Sequence, residues 1–364
     1  MKVVVAPDGF GGTLSAAEVA AAVAEGWRQV RADDEVVELP LSDGGEGLLG
    51  VVAGPGDRHL EVEVAGPRGH PVTARLLHRG EGTVVLESAL ACGLTLLEPD
   101  DRDPLVTTTY GVGQLLLAAR DAGASRVLVG LGGSATVDGG AGALTALGYR
   151  LLVADGSGLK IGGGQLHRID RIEPGWVPDF SDVEVVLLAD VDTPLGQAAA
   201  RFGPQKGADA SAVRWLASGL ERFAEVVERD LTDGTRLREQ PGTGAAGGLG
   251  YALAAALGAR FHPGAAAVGA LVGLPAAVAG ADLVVTGEGR LDATTTEGKV
   301  VAHVVDLARR AGTPVAAVVG ALATPQVAVE LGLRQLVQAS PAGPGPDPWA
   351  DAVQAGRRLA EQQL

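Results

Sequence analysis

Short valine-rich runs, each ending in a loop where glycine and a carboxylate stand together, recur at both ends of this 364-residue chain. Residues 3–6 (VVVA) run into DGFGGT at 8–13, residues 36–39 into DGGEG at 43–47, and residues 282–286 (DLVVT) into GEGRLD at 287–292. Brief apolar runs bounded by turn residues are the pattern of strands buried on both faces. Between the first two runs, Ser15 and Glu18 have capping-box spacing and apolar residues return at helical intervals as far as Val30. Strand, helix, strand is the unit of a parallel sheet, because parallel neighbours need a crossover.

The same alternation closes the chain. Strands are predicted at 282–286, 314–319 and 334–339, with helices at 294–310, 325–331 and 349–359. With the two N-terminal strands this makes an α/β fold, a flavodoxin-like doubly wound parallel-sheet domain interrupted by an inserted mixed α/β domain. The sheet domain takes residues 1–58 and 263–364, and the insertion takes 59–262. Inside the insertion, 60–65 and 72–77 alternate polar and apolar residues around PRGH at 67–70, which predicts an antiparallel hairpin followed by a strand at 83–86. Beyond it come helices at 109–122, 210–229 and 245–257 and strands at 127–131 and 184–188. Two domains also suit the length, since single cores stop growing near ~250–300 residues.

Composition narrows the function. Glycine supplies 55 of the 364 residues, about twice its usual ~7% share, with no collagen period. The surplus therefore has a local cause, and glycine loops let a backbone approach a ligand closely. A net charge of −15 with 3% aromatic residues opposes a nucleic-acid partner. No apolar run reaches the ~18–20 residues of a membrane span, and Asp8 arrives too early for a secretory signal. A cytoplasmic protein with no membrane partner is the expectation. The lone Cys92 can build neither a disulfide framework nor a zinc cluster, and the six histidines form no HExxH pair.

Ligands of open parallel sheets gather beyond the C-terminal strand ends. Asp8, Asp43, Glu288 and Arg290 are predicted there, a combination suited to an anion and a metal ion. In the insertion, GGSAT at 132–136 lies between a strand and a small-residue helix, a nest in which Ser134 can hold a carboxylate or a phosphate. Asp190 and Asp192 follow the strand at 184–188; alternate residues project to one side, so both reach one Mg²⁺, or one orients a hydroxyl while the other binds metal. FGPQKG at 202–207 places Lys206, one of four lysines, in a Gly/Pro loop fitted to a phosphate. Plainer roles for these residues are helix caps, Asx turns and solvated turn charges. GTGAAG at 242–247 has dinucleotide spacing but follows no strand, so it lends nothing to NAD binding and leaves a phosphate or close-approach role. EGK at 297–299 fails Walker spacing, and Ser134 lacks a nucleophile elbow.

Taken in order, VAPD at 5–8, SDGGEG at 42–47, TTTYG at 107–111, GGSAT at 132–136, DGGAG at 138–142, DVD at 190–192, FGPQKG at 202–207, GAAGG at 244–248 and GEGR at 287–290 resemble the bacterial type I glycerate kinase family almost end to end. The resemblance implies ATP-dependent phosphorylation of D-glycerate to 2-phosphoglycerate and ADP, with Mg²⁺, in a cleft between the two domains of a monomer or homodimer. On that reading Asp192, Asp43 and Arg290 are catalytic, and Ser134, Asp8 and Glu288 hold the substrate. Lys206, Gly244, Gly247 and Gly248 hold the nucleotide, and Asp190 with Asp192 holds the metal. One loop departs from the pattern: where the family usually reads DSFKGS, this chain has DGFGGT, so Gly11 replaces a lysine; if that lysine contacts phosphate or glycerate, another cation such as Arg290 or Lys206 takes its place, or the chain tolerates weaker binding. Two readings of other classes stand beside this one, an NAD-dependent hydroxy-acid dehydrogenase and a non-catalytic sensor of small hydroxy acids.

Overall fold

The computed structural model describes residues 1–232, 234–296, 298–340 and 345–363. The chain forms two compact units, Met1–Asp43 with Gly50–Val52 and Pro263–Leu364, and Gly44–Leu49 with Ala53–His262.

In the first unit five strands form a parallel sheet in the order Gln335–Gln338, Val315–Leu322, Leu283–Leu291, Lys2–Pro7, Glu35–Glu38. In chain order this is 2-1-3-4-5, the flavodoxin-like arrangement. Strand periodicity builds the two-faced core: Val3 and Val5 pack into one apolar cluster with Leu283 and Val285, while Val4 and Ala6 enter another with Val284 and Ala317. The capping box forms as read, with Glu18 N donating to Ser15 Oγ at 3.3 Å and Ser15 N donating to Glu18 Oε2 at 2.8 Å. The helix it starts, Ala16–Val30, crosses the C-terminal helix Pro348–Glu361 in backbone contact. A Cβ on Gly26 would fall 1.9 Å from Val353 O, and one on Gly356 would fall 2.2 Å from Val23 O.

Two expectations for this unit are corrected. The strand predicted at 282–286 runs on through Leu291, so Glu288 and Arg290 stand on a strand rather than in a loop. Its register with Val315–Leu322 continues to Leu291 opposite Leu322, and Gly287, whose added Cβ would lie 2.1 Å from Val318 O, permits that pairing. The helix predicted at 294–310 is interrupted: a 3-10 turn occupies Ala293–Thr296, and the α-helix starts at Val300 with Lys299 as N-cap. Gly298, at φ 92°, breaks the path, and Glu297 lies outside the described residues.

The second unit carries a six-stranded mixed sheet in the order Arg260–His262, Glu184–Leu188, Arg126–Gly130, Thr83–Glu87, Pro71–His78, Arg58–Ala65. The first four strands are parallel, and the predicted hairpin adds the antiparallel pair. A separate two-stranded ladder, Tyr149–Val153 with Ile169–Pro174, has no forerunner in the sequence reading. The helix predicted at 245–257 begins only at Leu249, because Ala246, Gly247 and Gly248 all take left-handed φ values of 51°, 66° and 94°. Among the described residues no helix is long and apolar enough to cross a membrane.

Candidate active site

A cavity of about 460 Å³ opens at the C-terminal edge of the parallel sheet, in the first unit. Asp8, Asp43, Glu288, Arg290 and Lys299 line it together. Part of its floor is bare backbone. A Cβ on Gly320 would sit 2.6 Å from Gly289 O, and one on Gly289 would sit 3.0 Å from Gly11 N, so neighbouring chain segments touch without side chains between them.

Asp8 follows the first strand, where its N–H extends the ladder to Gly287 O at 2.8 Å and its Oδ1 accepts from Gly9 N at 2.7 Å. Burial pushes its carboxyl up to about 7, aided by the charges of Asp43 and Glu288 and opposed by the Gly9 N–H and Lys299. Glu288 is 8% exposed and accepts from Thr295 Oγ1 at 2.5 Å. It too is pushed up to about 7, chiefly by burial, with Asp292 and Asp43 adding to the rise and Thr295 and Lys299 resisting it. Crowded carboxylates with one nearby ammonium titrate as a coupled set near neutrality. Lys299 Nζ donates to Thr294 Oγ1 at 2.8 Å, and that hydroxyl donates to Asp292 Oδ1 at 2.8 Å. Arg290 reaches outward, its side chain 69% exposed, with Nε 3.5 Å from Asp292 Oδ2.

A second constellation lies in the other unit. The strand Arg126–Gly130 ends in the GGSAT loop, which is pinned from behind: Ala135 N donates to Cys92 O at 2.7 Å, and Leu94 N donates to Gly133 O at 2.9 Å. Ser134 is 4% exposed and Lys206 2% exposed. Lys206 Nζ donates to Ser134 Oγ at 2.9 Å and to Thr136 O at 2.8 Å. Burial lowers this ammonium to about 8, against the raising influence of Cys92 and Asp138. The buried Asp138 accepts from Thr109 N at 2.8 Å, Thr109 Oγ1 at 2.9 Å, Gly140 N at 3.0 Å and Gly142 N at 3.2 Å. Its pKa is raised by burial despite those donors. It ties the TTTYG and DGGAG segments into one knot. Burial pushes the Cys92 thiol up to about 12, which removes it as a nucleophile.

The profile of the glycerate kinase family matches residues 3–363. The chain belongs to the glycerate kinase family. It is 40% identical over 369 residues to the glycerate kinase of Bacillus subtilis (strain 168), covering 100% of this chain and 95% of that one. It is also 40% identical over 328 residues to the glycerate 2-kinase of Escherichia coli (strain K12), covering 88% and 86% respectively. Among solved structures it resembles a crystal structure provisionally assigned as glycerate kinase 2 from Salmonella typhimurium LT2, with TM-score 0.82, 38% identity and full coverage of both chains. This family membership makes the chain a kinase and does not favour the dehydrogenase reading.

For a chain of this family the placement of each expected residue matters. Asp8, Asp43, Glu288 and Arg290 do share one cavity. Asp190 is half-buried and Asp192 exposed, both just after Glu184–Leu188. The sequence reading puts Lys206, Gly244, Gly247 and Gly248 at the nucleotide; in the structure all four are buried. Lys206 Nζ is turned onto Ser134 and Thr136, and a Cβ on Gly247 would fall 2.0 Å from Thr136 O. These glycines let two loops meet backbone to backbone, with Gly139 N donating to Gly247 O at 3.0 Å.

Lys299 is the site residue the sequence reading missed. The signal was there, since it is one of only four lysines and stands in a glycine loop, the same grounds that singled out Lys206. It was discarded with the Walker motif it fails to complete. With Gly11 lining the cavity where the family usually has lysine, the cavity's described cations are Arg290 and Lys299.

The carboxylates fit a hard, oxygen-loving cation such as Mg²⁺ by donor type. Among the described residues no three metal-ligating side chains converge into a cage.

Proposed function

We propose that this chain transfers the terminal phosphoryl group of ATP to the 2-hydroxyl of D-glycerate, giving 2-phosphoglycerate and ADP, with Mg²⁺. The observation that carries this reading is the strand-end cavity, where two carboxyls pushed up to about 7 stand beside Lys299 and Arg290. The Escherichia coli relative, a glycerate 2-kinase, supports the substrate and the position of transfer.

Phosphoryl transfer asks a protein for positioning and charge neutralisation more than for covalent chemistry. A carboxylate with pKa near 7 has the right strength to accept the proton leaving a hydroxyl as its oxygen bonds to phosphorus and the bond to ADP breaks. Asp8 and Glu288 take that acid–base role on this reading, with Asp43 setting their charge balance. Lys299 and Arg290 offset the charge of the transferring group. Asp190 and Asp192 hold Mg²⁺, with Asp192 also a candidate to orient the hydroxyl; when bound, the ion neutralises phosphate charge. Ser134 and the glycine backbone of its loop hold the glycerate carboxylate. Gly244, Gly247, Gly248 and Lys206 support that loop from beneath.

The deciding experiment is an ADP-release assay with D-glycerate and Mg²⁺, run against glycerate-free, chelated and NAD-containing controls, with the product identified by ³¹P NMR. ADP release that depends on glycerate and yields the 2-phospho ester supports the reading. Glycerate binding without ADP release would instead mark a sensor. Asp192→Asn with near-wild-type kcat and intact folding would remove Asp192 from its role.

A further inference from the structure

We propose that Lys206 is a positioning residue for Ser134: its ammonium fixes the Ser134 hydroxyl as an outward-pointing donor to the substrate carboxylate. The inference rests on the reading of Ser134 as the carboxylate contact and adds how that contact is polarised.

An ammonium has three N–H donors and no acceptor. At 2.9 Å from Lys206 Nζ, Ser134 Oγ is therefore accepting, and its single hydrogen must turn away from the lysine. The second Lys206 donor is committed to Thr136 O, which ties the ammonium to the middle and the last residue of the GGSAT turn. The Phe202 ring, centred 5.9 Å from Nζ, closes the apolar side.

The charge itself is the second argument. A buried ammonium is costly unless paired, and the two acceptors that Lys206 Nζ meets, Ser134 Oγ and Thr136 O, are both neutral. The titratable groups that face it are the Cys92 thiol and the Asp138 carboxyl, and Asp138 is saturated by four donors of its own. Positive potential thus sits directly beneath a loop of half-buried glycines, Gly132 and Gly133, and an anion on that loop is what such a potential favours. A direct phosphate contact suits Lys206 less well, because the side chain is 2% exposed and spends its donors inward.

A pH signature follows from the same geometry. As pH rises through about 8 the ammonium loses its proton, the neutral amine becomes an acceptor, and the Ser134 hydrogen is free to turn inward. In the wild-type enzyme KM for D-glycerate should rise through about pH 8 while kcat and KM for ATP do not follow. Lys206→Met, which keeps length and removes charge, should raise KM for D-glycerate by about tenfold or more, leave kcat within about threefold and abolish the pH step. Ser134→Ala should do the same, and the double variant should lose no more than either alone. Melting curves of both variants accompany the kinetics, and the wild-type pH series needs no variant. Three results would overturn the proposal: a flat wild-type KM across pH 8, losses that add in the double variant, or a rise in KM for ATP alone. If Ser134→Ala leaves KM for D-glycerate unchanged, the carboxylate reading falls and takes the proposal with it. If Ser134→Ala weakens glycerate and Lys206→Met does not, only the proposal falls.

Discussion

Asp8 and Glu288 are register neighbours. Pro7 pairs with Gly287 in the parallel ladder, and the residue after each delivers a carboxyl into the same cavity, where the charge of Glu288 raises the proton affinity of Asp8 and that of Asp43 raises both. A helix cap would need one such acid; two, desolvated together, cost stability and mark a functional site.

The pair gives a signed pH dependence. Both groups have folded pKa values of about 7, well above the ordinary 3.8 of aspartate and 4.5 of glutamate. Between those limits the folded state binds more protons than the unfolded one, so this contribution to stability falls as pH rises and levels off above about 7. Melting temperature should decline from pH 5 to 7.5, and Asp8→Asn with Glu288→Gln should flatten that decline. Over the same range kcat/KM should rise as the base deprotonates, and Asp8→Asn should lower kcat by about 10²-fold or more. A melting temperature independent of pH in this window would refute the coupled pair.

Removing Lys299 should move that profile. Its charge lowers the pKa of both Asp8 and Glu288, so Lys299→Met should shift the acidic limb of the pH–rate curve upward and cost about 10- to 10²-fold in kcat/KM at pH 7. An unshifted limb with unchanged rate would place Lys299 outside the chemistry.

Gly11→Lys tests the converse. A Cβ at Gly11 meets nothing within 4 Å, and the residue is exposed, so the substitution should change stability by no more than about 0.5 kcal/mol. The added ammonium should lower the acidic limb of the pH–rate profile and tighten nucleotide or glycerate binding. Chemical denaturation and steady-state kinetics on one preparation read both effects.

Asp138 should behave as a structural acid. Asp138→Ala strands four donors in a buried setting, Thr109 N, Thr109 Oγ1, Gly140 N and Gly142 N, and should cost about 3 kcal/mol or more in urea unfolding. Asp138→Asn, which keeps an acceptor oxygen, should cost less.

The fold was largely legible because its causes are local. The unbroken apolar run of residues 3–6, the Ser15/Glu18 cap and the polar–apolar hairpin at 60–77 each carry their own local pattern, and each formed. Where the reading slipped, a distant neighbour decided the outcome. The strand through Glu288 and Arg290 is lengthened by pairing with Val315–Leu322, and the turn at Ala246–Gly248 is bent by the Thr136–Gly139 backbone pressed against it. The ladder of Tyr149–Val153 with Ile169–Pro174 joins short segments that no turn signal links.

The site divides the same way. Sequence alone determined that Asp8 and Asp43 follow the first two strands among glycines, since that follows from periodicity and chain order. Tertiary structure decided which of them are desolvated together, that Lys299 enters the cavity with Asp8 and Glu288, and that Lys206 turns inward to Ser134. The reason is physical: a hydrophobic period is written within a dozen residues, whereas the pKa of a carboxyl and the direction of an ammonium depend on burial and charges contributed by segments hundreds of residues apart.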